Sequence, residues 1–199
     1  MEMNIELKIL DKEFYGRKCE QSQSLILGEN YIVDGYLIDR QKLPHYATSG
    51  SAGIDLIATK DYTIAPQERV KIGTGIAIHI GSIDGGWDKC NWGIAGFVIP
   101  RSGLGTKGLV LANLVGCLDE DYQGEIIISA WNSKERMWKL HHEDCRLERM
   151  DEWANIEIKA GDRICQLIFM PVIKAQWNIV EEFTTITDRG VGGFGSTDK

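Results

Sequence analysis

Asp119, Glu120 and Asp121 stand side by side, directly after the apolar pair Cys117-Leu118 and before Tyr122-Gln123-Gly124. Adjacent carboxylates repel one another, so a turn with a purely structural role has little use for three of them. A carboxylate at the mouth of an apolar pocket is a candidate general base, and Asp119 follows the apolar pair most closely. Tyr122 adds an aromatic face three residues on. By composition alone the segment fits a solvated acidic turn better; the other motifs shift the balance.

Pro100-Arg101-Ser102-Gly103-Leu104-Gly105 brings a guanidinium, a hydroxyl and backbone N–H groups to the end of an apolar run. That combination suits an anion, although a Pro/Gly turn with a solvated Arg would look the same. Asp188-Arg189-Gly190 opens a glycine-rich tail that carries Phe194, Gly195, Ser196 and Thr197. Gly190 to Thr197 superficially fits a phosphate-binding loop. Ser196 stands where that loop needs Lys, and no helix can follow in two residues, so the reading is rejected. A tail this rich in Gly is mobile when free, yet Arg, Phe, Ser and Thr are what clamping a phosphate and stacking on a base require. Asp162-Arg163 and Gln166 enter a long apolar run, where the charged pair reads as structural and Gln166 as a candidate pocket residue. His141, His142 and Cys145 supply three ligands at most, with no fourth at regular spacing, so a solvated helix face is favoured over zinc. Cys117 and Cys165 read as small buried apolar residues.

The elements that hold these residues are strands. Residues 109–115 and 125–130 are Val/Leu/Ile-rich runs joined by the acidic segment, which is a hairpin signal. Ile5, Leu7 and Ile9 alternate with charged residues. Further strands are expected at 54–58, 62–64, 69–72, 75–80, 94–99, 155–158, 164–172 and 176–180, and a hairpin around Asp34-Gly35 over 31–38. Short strands with turn residues between them indicate an all-β barrel or sandwich. Residues 82–93 read as a loop. Residues 134–153, dense in charge, read as a short amphipathic helix or an extended hairpin.

At 199 residues the chain is one domain by length. Its 43% hydrophobic and 26% charged content is that of a globular protein. A net charge of −7 argues against nucleic-acid binding. An anionic substrate would therefore need a local cluster of Arg or a metal ion. No apolar run approaches transmembrane length, and five irregularly spaced cysteines suggest free thiols in a reducing cytoplasm.

Taken in order, the motifs resemble the five motifs of the trimeric deoxyuridine triphosphatases, in their bacterial and phage branch. They are Ser51-Ala52-Gly53-Ile54-Asp55-Leu56; Pro100 to Gly105; Asn113 to Glu125; Gly161 to Gln166; and Arg189 to Thr197. The resemblance spans most of the chain except inserts at about 16–42, 82–93 and 134–153. It implies a single β-domain over 1–187 with a mobile arm, 188–199. The implied fold is a distorted jelly-roll or β-barrel (a β-clip) in a homotrimer, the arm closing a neighbouring subunit's site. It implies hydrolysis of dUTP to dUMP and diphosphate with Mg2+.

The residue roles implied by the resemblance are specific. Asp119 is the general base and Arg189 stabilises developing charge. Arg101, Ser102 and Gly103 hold phosphate oxygens, with Gln166 nearby, and Asp55 meets magnesium through water. Asn113 and the backbone of Gly116, Cys117 and Leu118 pair with the uracil edge, with Ile127 at the same site. Tyr122 lies under the deoxyribose. Phe194 stacks on the base, while Gly195, Ser196 and Thr197 bind the terminal phosphate. Two positions depart from the family pattern: Cys117, usually aliphatic or Thr, and Asp198, usually Gly. The inserts take no role from the resemblance and offer surfaces to a partner protein. The nearest rival is a dCTP deaminase of the same fold, disfavoured by Gly103 and by Asp119-Glu120-Asp121-Tyr122. A non-catalytic regulatory protein is disfavoured by the intact acidic and Arg positions.

Overall fold

The computed structural model describes residues 5–19, 25–27, 30–81, 92–141, 145–150 and 152–192. The cysteine at position 90 and the tail residues Phe194, Gly195, Ser196 and Thr197 lie outside them, as does most of the expected 82–93 loop.

Two four-stranded antiparallel sheets form the body. One runs in the order Glu6–Ile9, Arg69–His79, Glu125–Asn132, Leu109–Leu111. The other runs Gly116–Leu118, Trp92–Pro100, Arg163–Ile173, Ile54–Ile57. A short pair, Tyr62–Ile64 with Ile156–Ile158, packs with them. Along Glu125–Asn132 every second side chain from Ile126 onward is buried, the period-two signature of a strand with one face on a core. That core contains Leu56, Ile64, Ile72, Ile76, Ile126, Ile128, Ile158 and Leu167. The all-β class follows directly from this alternation.

Several expectations are corrected. Residues 69–72 and 75–80 are not two strands but one, Arg69–His79. The apparent break is a bulge: the pairing steps from Glu125↔Ala77 to Ile127↔Gly73, and Gly75 takes φ +67. A Cβ on Gly75 would lie 2.7 Å from Asp11 Cβ, so glycine is required twice over. Residues 134–153 contain no α-helix among the described residues; Trp138–His141 pairs with Arg146–Arg149 as an extended ribbon, the second of the two expected forms. Residues 176–180 form no strand. Trp177 and Ile179 there, and Phe183 and Ile186 just beyond, are each at least 90% exposed.

The first insert is larger than a hairpin. Gly16–Lys18, Tyr36–Ile38, Asn30–Val33 and Leu25–Leu27 make a third four-stranded sheet. It hangs from the short helix Lys12–Tyr15, whose Tyr15 is fully buried in the main core and donates to Thr74 O at 2.7 Å. Among the described residues no helix is long and apolar enough to cross a membrane.

Candidate active site

The expected hairpin is present, but its connection does more than turn. Leu109–Leu111 pairs with residues 130–132, and Ala112 N still donates to Ser129 O. Leu114 then adopts φ 64 and the chain crosses to the other sheet, where Gly116–Leu118 pairs with the Trp92–Pro100 strand. Gly116–Leu118 is an edge strand. One side is bonded to its neighbour, and the other has no strand partner among the described residues, leaving backbone N–H and C=O groups facing outward. Between this edge and the Glu125–Asn132 strand lies a slot of about 240 Å3. Asn113, Gly116, Cys117, Leu118, Asp119, Tyr122 and Ile127 all line it. Seven of the expected site residues are thus brought together.

The acidic run is differentiated by its contacts. Glu120 faces Lys174 at 4.0 Å, and its carbonyl accepts from Gly81 N. The Glu125 carboxylate turns under the sheet and accepts from Gly75 N at 2.8 Å. There, burial, followed by the charges of Asp11 and Glu125, pushes the Tyr15 hydroxyl well above its ordinary range. Asp119 is exposed in the slot and has no ion-pair or hydrogen-bond partner for its carboxylate among the described residues. The Tyr122 ring folds back over Gly124 and its hydroxyl donates to Glu125 O at 2.9 Å. A Cβ on Gly124 would stand 2.5 Å from that hydroxyl, so only glycine lets the ring lie there.

Cys117 is exposed in the slot, contrary to the expectation of burial, because among the described residues Gly116–Leu118 has no strand on its outer edge. Cys165 is buried as expected, and burial pushes its thiol far up, with Asp55 adding to the effect.

The second group is built around Asp55. Sheet register sets Gln166 opposite Asp55 on one side and Ile99 on the other, with Arg101 just past the Trp92–Pro100 strand. The Asp55 carboxylate, 13% exposed, holds Arg101 Nε at 3.1 Å and Arg163 Nη1 at 3.2 Å. Gln166 Nε2 donates to the same carboxylate at 3.3 Å, and Arg101 Nη1 donates to Arg163 O at 3.2 Å. Arg163 therefore pairs with Asp55 rather than with its neighbour Asp162, whose carboxylate accepts from Lys159 N instead. Ser102 and Gly103 begin the short helix Ser102–Gly105, whose first-turn amides have no helical acceptor. These residues border an open cradle of about 1070 Å3, shared with Lys107, Lys134 and Glu157.

Slot and cradle have no lining residue in common. Arg189 lines neither; it is exposed in a turn, its Nε donating to Gly192 O at 2.9 Å. His141 Nε2 is bonded to Glu148 Oε2 at 2.5 Å across the ribbon, and no group of three His, Cys, Asp or Glu is placed for a metal among the described residues. Sequence reasoning passed over Glu125 as a support and Asn132, fully buried and bonded to Ile64 O and Ala154 O. A lone Asn closing a strand of alternating apolar residues was the available signal.

Comparison with known proteins gives the family and the fold. The dUTPase family model matches residues 39–146 and 152–198. A deoxyuridine 5'-triphosphate nucleotidohydrolase of Paraburkholderia phytofirmans is 44% identical over 163 residues, covering 80% of this chain and 91% of that protein. One from Shewanella baltica is 46% identical over 167 residues, covering 82% and 91%. Among solved structures, the Staphylococcus bacteriophage 80alpha dUTPase with dUPNHPP superposes with a TM-score of 0.67 over 98% of each chain, at 24% identity. That last likeness speaks for the fold alone.

Proposed function

This chain belongs to the dUTPase family, and from that premise we propose that slot and cradle are the two halves of its dUTP site. The reaction is hydrolysis of dUTP to dUMP and diphosphate. The observation that carries the assignment is the Asp119 carboxylate, without a partner among the described residues, in a slot bordered by an edge strand.

Uracil offers acceptor, donor and acceptor along its pairing edge, and the outer edge of Gly116–Leu118 answers it, with Asn113. Cytosine reverses two of those groups and would leave buried polar atoms unpaired, a loss of about 1–3 kcal/mol each. The Tyr122 ring, pinned through its hydroxyl, packs under the deoxyribose and leaves no room for a 2′-hydroxyl. Asp119 takes a proton from water as the water oxygen bonds to the α-phosphorus. The bridging bond to the β-phosphate breaks and diphosphate leaves. Arg101, Ser102, Gly103 and Gln166 hold the phosphate oxygens, and the Asp55 carboxylate keeps the Arg101 guanidinium in place. Arg189 arrives with the arm, whose Phe194, Gly195, Ser196 and Thr197 cover base and terminal phosphate.

Mg2+ suits a triphosphate and supplies charge neutralisation when bound to it. Both Asp55 oxygens already serve guanidinium groups, so contact with the ion through water fits this site and direct ligation does not.

The active form we propose is a homotrimer in the cytoplasm. Two observations support the assembly: slot and cradle are separate within one chain, and the 176–186 segment exposes Trp177, Ile179, Phe183 and Ile186 almost fully. The test is diphosphate release from dUTP, dCTP, dTTP and UTP, with and without Mg2+, on protein of measured mass in solution. Release from dUTP alone is the expected result. Ammonia from dCTP, with no diphosphate from dUTP, would overturn the assignment.

A further inference from the structure

The cradle extends beyond the residues so far given roles. Lys134 opens the 134–153 insert, yet it lines the cradle together with Arg101, Ser102 and Arg163. Its position is held at three points. Lys134 N donates to the carboxamide of the buried Asn132 at 3.1 Å. Gln67 Nε2 donates to Lys134 O at 2.9 Å. Its side-chain stem lies on Gly108, where a Cβ would stand 2.9 Å from Lys134 Cγ; Gly108 takes φ +96 and leaves that space open. Lys107, at the end of the Arg101–Ser102 turn, reaches the same cradle.

No carboxylate pairs with either ammonium group among the described residues, although two line the cradle. Glu157 accepts from the Thr63 hydroxyl at 2.7 Å, and Asp162 accepts from Lys159 N at 2.8 Å. In a protein of net charge −7, two unpaired cations beside two guanidinium groups make a local positive field. The Arg groups are largely committed to Asp55; the Lys groups are not.

We propose that Lys134, with Lys107 beside it, forms an anion subsite at the outer end of the cradle that holds the diphosphoryl part of the substrate and the released diphosphate. Lys134 is then a binding residue contributed by an insert, and not part of the hairpin or the arm. The inference rests on the assignment of the cradle to the substrate's phosphates.

The test uses the full-length protein with Lys134→Met, which keeps the stem on Gly108, and Lys134→Arg, which keeps the charge. Inorganic diphosphate with Mg2+ is the probe, read as product inhibition, and dUMP binding is the control. Lys134→Met should weaken diphosphate inhibition about 10-fold, the loss of one charge-assisted contact, and leave dUMP affinity unchanged. Lys134→Arg should restore inhibition to within about 3-fold of wild type on the same reasoning. If Lys134→Met lowers the melting midpoint, the exposed Lys107→Met carries the test with the same readouts. With a wild-type protein that hydrolyses dUTP, unchanged diphosphate inhibition in Lys134→Met would overturn this inference alone, as would equal weakening of diphosphate and dUMP. A wild-type protein releasing no diphosphate from dUTP would instead remove the assignment beneath it.

Discussion

The slot and the cradle, the two halves of the proposed site, are built in different ways. All but one of the slot's lining residues lie between 111 and 129, on one excursion of the chain between two strands. The cradle draws on residues 101–107, 134, 155–157 and 161–166, with Asp55 behind them, joined only by the register of separate strands. Asp119 in the slot has no partner among the described residues, whereas Asp55 behind the cradle is shared by three donors. The difference suits the roles proposed for them: a general base has to be free to take a proton, and a support for guanidinium groups is best saturated. The contrast separates chemistry from positioning within one family of Asp side chains.

Two substitutions and one chemical modification probe that separation. Asp119→Asn should remove most of the turnover, about 10²–10⁴ in kcat, with dUTP binding and melting midpoint near wild type. A kcat near wild type would take Asp119 out of its role. Asp55→Ala should act differently. It strands two guanidinium groups, one of them 30% exposed and the other 56%, so the melting midpoint falls and KM for dUTP rises about 10-fold or more. An effect on kcat alone would show that Asp55 acts in the chemistry and not as a support. The smallest effect separates the two thiols. Native protein treated with iodoacetamide and mapped by peptide mass should be modified at Cys117 and not at Cys165, whose burial disfavours the thiolate. Saturating dUMP should slow modification at Cys117; equal rates with and without dUMP would place the nucleotide elsewhere.

The same contrast explains what could be read early. Asp119, Tyr122, Asn113 and Gly116 are close in sequence, so their spacing carried the slot. Arg101, Gln166 and Asp55 could each be singled out, but not their contact. That contact depends on Gln166 lying opposite Asp55, and the pairing of that strand shifts between Arg163 and Cys165. One residue of slip would turn Gln166 to the other face. Asp162 and Arg163 read as a pair because they are neighbours in sequence, whereas successive residues of an extended chain face opposite ways. The divided strand at 69–80 arose from Gly73 and Gly75, which resemble a turn until Leu10 N and Asp11 N are seen donating to Gly75 O. The 134–153 segment satisfied a helical spacing of apolar residues and also an alternating one. The short cross-strand pair His141–Glu148 and the register Leu140↔Leu147 belong to the ribbon.

Local order in the chain was enough to establish the all-β class, the neighbourhood of Asp119 and the family. Backbone geometry within a few residues sets those features, and it travels with the residues that encode it. The Asp55 hub, the outer edge of Gly116–Leu118, the exposure of Cys117 and the placing of Lys134 in the cradle all needed the folded chain. Each depends on which strands lie side by side and in what register, an outcome of burying one common core.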